Sequence, residues 1–181
     1  YIMKKYNIGK KYLLSLSTLE PRKNIKLLIS AYQELITEGY NLPELVLAGR
    51  RGWKMDDVLP FMEVDVKNKI LFTGFIDDEG LPSVYTTALC FIFPSIYEGF
   101  GMPPLEAISC GVPVISSDSS SLPEVCGDAA VYFKSENKDD LKNKILQIIN
   151  ADSIDIEEMK IKGLDQAAHF QWKNEARHLI E

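Results

Sequence analysis

The sequence predicts an α/β domain in which a mostly parallel sheet of about six strands carries helices on both faces. Six short apolar runs, rich in β-branched or aromatic residues, alternate with longer segments in which apolar residues recur every three or four positions. Strands that are apolar throughout are buried on both faces, which is typical of parallel sheets covered by helices. The runs lie at residues 12–16, 45–48, 70–73, 90–94, 112–116 and 130–133.

Helices are expected between these runs. One apolar stripe at helical spacing follows the first run and ends before Gly39, and a second begins at Leu141. Residues 110–113 end a helix and open the next strand, and residues 154–181 predict two polar-faced helices separated near Gly163. The stripes are assigned to the core. Together the elements predict one Rossmann-like domain over residues 1–181. The stripe residues are Ile25, Leu28, Ile29, Tyr32, Leu35 and Ile36, then Leu141, Ile145, Ile148 and Ile149.

Charge and composition exclude several classes of protein. A net charge of −6 argues against a nucleic-acid binder, which would carry a basic surplus or stripe. No apolar run approaches the roughly 18 residues of a membrane span. The three cysteines, Cys90, Cys110 and Cys126, form no C-x-x-C pair. They are predicted to be small buried residues in a reducing compartment, the cytoplasm.

The loop after the first run, residues 17–24, is the first candidate for ligand binding, because ligands of such sheets bind beyond the carboxyl ends of the strands. It contains no glycine, so it is neither a dinucleotide-binding nor a P-loop motif. Arg22 and Lys23 lie close to a helix start that Asn24 is expected to cap. Together they would hold a diphosphate, the arginine by forked contacts. An exposed charged turn is the structural alternative.

Two further loops follow the second and third runs. Gly49 and Gly52 permit a tight turn, and turn geometry explains them as well as a binding role does. Phe75 and Ile76 would pack on a flat base whose edge bonds to nearby backbone groups. The structural interpretation of this third loop is a helix entry capped by Asp77 or Asp78.

The most informative segment is residues 95–106, which joins the fourth run to a helix. Gly99 and Gly101 allow the backbone to approach a ligand closely, and Pro103 and Pro104 suit a first helical turn. The start of that helix is a natural anion site, because its N–H groups and its dipole both favour negative charge.

Two carboxylates flank this segment, Glu98 and Glu106. Ionised carboxylates accept hydrogen bonds from sugar and ribose hydroxyls. Two structural alternatives are that Glu106 complements the helix dipole and that Glu98 caps a turn. A glycosidase acid–base pair is a further alternative, because sequence spacing does not give the distance between the two groups.

Residues 93–114 resemble the Glu-x7-Glu signature of the retaining glycosyltransferases of family 4, the "group 1" enzymes of GT-B fold. Four other segments match the same family in the same order, so the resemblance covers almost the whole chain. They are residues 19–24, 48–53, 121–130 and 170–172.

This resemblance implies the donor-binding domain of a two-domain enzyme that transfers a hexosyl residue, mannosyl or glucosyl, with retention of configuration. The donor would be a GDP- or UDP-linked sugar, and the acceptor a glycan or lipid-linked glycan. The acceptor-binding N-terminal domain is expected to be absent from this chain, and the first residue, Tyr1, in place of an initiator methionine agrees with that. The chain alone is expected to bind donor and to transfer little, because the active site needs both domains.

The resemblance also implies residue roles. Glu106 would bind the donor ribose, Glu98 would lie against the transferred sugar, and Arg22 and Lys23 would neutralise the diphosphate and the leaving group. No cofactor or metal is expected, because cations and the helix dipole take its place. Many relatives carry an arginine near Ser15, Ser17 and Thr18, and its absence leaves more weight on Arg22 and Lys23. The backbone at Gly99, Phe100, Gly101, Met102 and Pro103 would meet sugar and phosphates, and Ile76 and Leu81 would line the base.

Two other functions fit the same residues. One is another GT-B enzyme that uses nucleotide sugars, such as a 2-epimerase, or a phosphorylase. The other is a non-catalytic module that binds nucleotide sugars. The tight Glu98–Glu106 segment and its ordered companions favour the transferase, for which peripheral association with the inner face of the membrane is expected only of the full-length protein.

Overall fold

The computed structural model describes residues 1–50, 52 and 64–170. Arg51, Trp53 and the Gln171–Trp172 part of the last family-like segment lie outside the described residues. The strands are β1 Tyr12–Leu16, β2 Glu44–Ala48, β3 Ile70–Gly74, β4 Cys90–Phe93, β5 Val114–Ser117 and β6 Ala130–Phe133. The helices are α1 Ile2–Lys5, α2 Ile25–Thr37, α3 Val64–Lys67, α4 Leu81–Thr87, α5 Met102–Ser109, α6 Leu122–Cys126, α7 Lys138–Ile149 and α8 Ser153–Ala168.

Across the described residues the strands form one sheet in the order β3-β2-β1-β4-β5-β6, and every pairing is parallel. β1 therefore lies between β2 and β4. The chain winds outward in one direction from β1 to β3 and in the other from β4 to β6. This doubly wound arrangement has its switch point between β1 and β4. The predicted Rossmann-like α/β fold is confirmed.

Each face of the sheet has its own apolar core, because successive strand side chains point to opposite faces. Leu13 packs with α2 and α7 in one cluster, and its neighbour Leu14 packs with α4, α5 and α6 in the other. The predicted stripes lie in the first cluster. Their buried members are Ile25, Leu28, Ile29, Tyr32, Leu35, Leu141, Ile145 and Ile148.

The six predicted strands agree with the structure to within about two residues. The largest difference is in β5, which begins at Val114 rather than at residue 112. Pro113 accounts for this difference, because it has no N–H to donate to a neighbouring strand. Its carbonyl still accepts from Phe91 N–H at 2.9 Å, so residue 113 leads into the sheet without being part of it.

The prediction of a helix break near Gly163 is wrong, because α8 continues through this residue to Ala168. Gly163 is buried, and a Cβ placed on it would lie 3.2 Å from Ile108 Cγ2 on α5. The missing side chain therefore lets α8 approach α5 closely. Close packing of α8 on α5 therefore outweighs the cost of glycine inside a helix, which is about 1 kcal/mol relative to alanine.

Gly163→Val is expected to lower the free energy of unfolding by about 1–3 kcal/mol, because the added methyl groups must displace Ile108 or separate α8 from α5. Urea denaturation would measure the change. Ala168→Val is the matched control, since it adds a β-branched side chain at an exposed position of the same helix. An equal effect of the two substitutions would contradict the packing role of Gly163.

Candidate functional site

The candidate site forms where the loops after β1 and β4 meet. These strands are neighbours at the switch point, so their carboxyl ends open into the same crevice. The two loops are joined directly, because the backbone N–H of Ile96 donates to the carbonyl of Arg22 at 2.8 Å. The topology thus brings together segments more than 70 residues apart in the chain.

Arg22 and Lys23 lie on a short 3-10 turn, Pro21–Lys23, that begins with a proline. Asn24 ends this turn in the left-handed region, with φ +53°, and α2 starts at the next residue. The predicted helix start is therefore in the right place. The predicted capping contact is wrong, because the Asn24 side chain makes no capping hydrogen bond. The turn, rather than a cap, orients the two cations.

The carboxylate of Glu98 lies between both predicted cations. Its Oε1 pairs with Lys23 Nζ, and its Oε2 lies 3.3 Å from Arg22 Nη1. The hydroxyl of Ser95 lies 2.6 Å from Oε1. The exposed fraction of the Lys23 and Glu98 side chains is 8% and 9%, whereas that of Arg22 is 51%. The structure therefore joins the three predicted catalytic residues in one cluster whose exposed cation is Arg22.

Lys23 is also fixed by an aromatic ring. Its ammonium lies 5.2 Å from the centroid of the Phe93 ring at the end of β4. A lysine held by a carboxylate and a ring has little rotamer freedom left to lose when an anion binds. The Lys23–Glu98 pair is therefore fixed in place before any ligand binds, and Arg22, which also pairs with Glu20, is the more exposed of the two cations.

The glycine-rich segment leads directly into α5. Gly101 has φ +110°, and a Cβ placed on it would lie 2.8 Å from the Leu122 side chain, so only glycine fits the turn. Helix α5 starts at Met102, and Pro103 and Pro104 lie in its first turn as predicted. Because prolines have no N–H, the backbone donors available to an anion here precede Pro103 in the chain. Phe100 and Met102 are both partly exposed beside them.

Glu106 lies one turn further along α5. The hydroxyl of Tyr85 on α4 donates to its Oε2 at 2.9 Å. Burial raises the pKa of Tyr85 far above its usual value, and the nearby carboxylate raises it further, so the phenol stays protonated and donates. Tyr85 thereby orients Glu106. Tyr85 is not among the site residues predicted from the sequence. The signal that could have found it is its spacing of four residues from Leu81, which puts the two on one face of α4.

A cleft of about 550 Å³ runs between α4 and α5. It contains three of the predicted donor-binding residues, Leu81, Met102 and Glu106. Phe170 also lines it and packs edge-to-face against Phe100, with ring centroids 5.8 Å apart. The wall of this cleft combines apolar surface with two carboxylates, Asp78 and Glu106, which can accept hydrogen bonds from the hydroxyls of a nucleoside.

Ile76 differs from the other predicted residues because its side chain is only 3% exposed and packs in the core. Neither Asp77 nor Asp78 caps α4, whose first residue follows Gly80. The Asp77 carboxylate instead binds Lys5 and Tyr6, and both contacts lower its pKa, the lysine more strongly. The ring of Phe75 is half exposed, and the guanidinium carbon of Arg50 lies over it, 4.6 Å from the ring centroid.

Residues 1–50, 52 and 64–170 contain no group of three or more His, Cys, Asp or Glu side chains arranged to hold a metal ion. Among those same residues, no helix is both long enough and apolar enough to cross a membrane. The cysteines of the described chain carry free thiols, and burial raises the pKa of Cys126 to about 12.

The sequence family described as "Glycosyl transferases group 1" matches residues 2–163. The O-antigen chain mannosyltransferase B of Escherichia coli is 42% identical over 175 residues, which are 96% of this chain and 46% of that protein. The chain therefore spans about half the length of this relative.

Solved structures share the fold. The C-terminal domain of the group 1 glycosyl transferase LpcC from Francisella tularensis superposes with a TM-score of 0.76 at 22% identity, over 94% of this chain and 92% of that one. Anabaena Alr3699/HepE, solved in complex with UDP, gives a TM-score of 0.76 at 19% identity, over 93% of this chain and 48% of that one. With a family match over most of its residues and the fold of solved members, this chain belongs to the group 1 glycosyl transferases.

Proposed function

We propose that this chain binds a nucleoside-diphosphate sugar as the donor domain of a retaining hexosyltransferase. The observation that carries the proposal is the Glu98–Lys23–Arg22 cluster, which lies next to the glycine-rich start of α5. It offers two cations for a diphosphate and a carboxylate for sugar hydroxyls at one point. Glu106 lies in the adjoining cleft, where a nucleoside fits.

The cluster would assist departure of the nucleoside diphosphate. In the transfer, the bond between the anomeric carbon and the β-phosphate oxygen breaks, and the acceptor hydroxyl oxygen bonds to that carbon and gives its proton to the leaving phosphate. Negative charge grows on the leaving diphosphate, where Arg22, Lys23 and the start of α5 stabilise it. Glu98 would accept hydrogen bonds from the transferred sugar while it holds Lys23 in place.

We propose a mannosyl residue as the first sugar to test and a glycan or lipid-linked glycan as the acceptor. The support is the similarity of this chain to the O-antigen chain mannosyltransferase B of Escherichia coli. Structural neighbours were solved with UDP and with UDP-glucose, so UDP-linked glucose is the second donor to test.

The acceptor site belongs, in this proposal, to a further domain of a longer protein. The support is that residues 1–181 cover 46% of the mannosyltransferase relative and most of one solved C-terminal domain. We propose a cytoplasmic location because the free thiols suit a reducing compartment. Peripheral membrane association is proposed only for the full-length protein.

Calorimetry with GDP-mannose, UDP-glucose, GDP and UDP tests the proposal directly. The wild-type chain is expected to bind GDP-mannose and GDP, or UDP-glucose and UDP, with dissociation constants below the millimolar range. Lys23→Ala and Glu106→Ala are each expected to weaken binding about 10- to 100-fold, because each removes a hydrogen bond that involves a charged group.

Lys10→Ala is the control, because this exposed lysine precedes β1 at the opposite edge of the sheet. Urea denaturation would confirm that each variant is folded. Absence of binding by the wild-type chain at millimolar ligand would refute the proposed function. Unchanged affinity in both Lys23→Ala and Glu106→Ala would refute only the assignment of the site.

Tyr85→Phe is expected to weaken nucleotide binding about two- to tenfold, because it removes the hydrogen bond that orients Glu106 while the ring still packs. Tyr132→Phe is the matched control, since it removes a 2.8 Å hydrogen bond to the Gly127 carbonyl beside β6. Calorimetry with the same ligands compares the two. If the two variants bind the ligands with equal affinity, the Tyr85 hydroxyl has no role in binding beyond stabilising the fold.

We also propose that donor binding needs no metal ion, because the cations of the cluster supply the positive charge. The dissociation constant for the nucleotide sugar is expected to be the same, within about twofold, in excess EDTA and in excess Mg²⁺. Binding that disappears in EDTA would show that a metal ion takes part.

A further inference from the structure

We propose that Ser120 and Ser121 are positioning residues that fix the backbone of Glu98 for contact with the transferred sugar. The inference rests on the proposed function and deepens it. Both serines lie in the loop between β5 and α6. Because β5 pairs with β4, this loop lies beside the segment that carries Glu98.

The two hydroxyls engage both polar backbone groups of Glu98. Its N–H donates to Ser120 Oγ at 2.9 Å. The hydroxyl of Ser121 lies 3.1 Å from the Glu98 carbonyl and 2.7 Å from the carbonyl of Phe100, two residues on. Glu98 is therefore held by its carboxylate from the β1 loop and by its backbone from the β5 loop.

Local structure does not account for either serine. Ser120 has φ +50°, a left-handed conformation that disfavours residues with a Cβ. Ser121 stands at the residue before α6, where a serine hydroxyl usually caps the helix, yet it makes no capping hydrogen bond. Each residue gives up a favourable local arrangement and contacts the Glu98 segment instead.

Two preceding serines extend the same support. The hydroxyls of Ser117 and Ser119 donate to the carbonyl of Ser95 at 2.5 and 2.8 Å. Ser95 in turn places its own hydroxyl against the Glu98 carboxylate. The serine-rich stretch from the end of β5 to the start of α6, residues 117–121, thus supports the Glu98 segment along its length.

The position of these contacts predicts a selective effect. Glu98 would face the transferred sugar, whereas Glu106 and Tyr85 lie in the cleft assigned to the nucleoside. Loosening Glu98 should therefore weaken recognition of the sugar more than recognition of the nucleoside diphosphate, which Arg22 and the start of α5 also contact in the proposed function. A role in general stability would affect both ligands alike.

The test compares GDP-mannose with GDP, and UDP-glucose with UDP, by calorimetry on the 181-residue chain. Ser120→Gly removes the hydroxyl and relieves the left-handed strain, so stability is preserved. Ser121→Ala removes the second hydroxyl, and Ser121→Thr restores it. Ser30→Ala, at an exposed position on α2, is the control.

Ser120→Gly and Ser121→Ala are each expected to weaken binding of the nucleotide sugar about three- to tenfold, the effect of one lost hydrogen bond. Binding of GDP or UDP should weaken by a smaller factor, about twofold or less, and Ser121→Thr and Ser30→Ala should match the wild type. Equal weakening for the nucleotide sugar and its diphosphate, or no weakening for either, would overturn the inference.

Hydrogen exchange of the peptide that contains Glu98 gives a second measurement that needs no ligand. Faster exchange confined to this peptide in Ser120→Gly supports the positioning role, and unchanged exchange overturns it. A wild-type chain that binds no nucleotide sugar would refute the proposed function, and the exchange result would still decide whether Ser120 orders the Glu98 segment.

Discussion

The contact between Lys23 and the Glu98 carboxylate is the interaction on which the site depends. It joins the loops of two adjacent strands at the point where the winding of the sheet reverses. Both side chains are almost fully buried, and breaking such a pair leaves one charge unpaired, at a cost of about 3–5 kcal/mol. Replacement of a buried ion pair by apolar residues is often neutral or stabilising, so stability alone is a weak reason to keep it. In the proposed function its position beside the start of α5 accounts for it better, because the pair fixes Lys23 there before an anion binds.

The groups around this pair differ in exposure and in chemical character. Arg22 remains half exposed at the mouth of the crevice, while Lys23 is fixed below it by Glu98 and Phe93. The Tyr85–Glu106 contact lies in a separate cleft between α4 and α5. The arrangement thus has a charged end and a mainly apolar end. A nucleoside-diphosphate sugar is arranged in the same way. In the proposed function its diphosphate and sugar would lie at the charged end, and its flat base would lie at the mainly apolar end.

The strands were predictable because each is a short apolar run, and parallel order followed from their burial on both faces. The pairing of Arg22 and Lys23 with Glu98 was not predictable in detail. Sequence places both loops at one edge of the sheet, but it does not give the direction of a side chain. Ile76 shows the same limit, because an apolar residue in a binding loop can equally fill the core. Gly163 shows another, since a helix break and a close helix contact both favour glycine, and only the position of Ile108 distinguishes them.

Helix α8 has a consequence for how the domain loses its structure. Its early residues Ile156 and Met159 pack against the cluster on one face of the sheet, and Ala167 packs against the cluster on the other. The strands already link the two cores, because neighbouring residues such as Leu13 and Leu14 lie in different clusters, and α8 adds a second link outside the sheet. A single helix that touches both couples their opening. Heat or denaturant should then melt the two faces in one cooperative transition, and detachment of α8 would be the event that allows either face to loosen first.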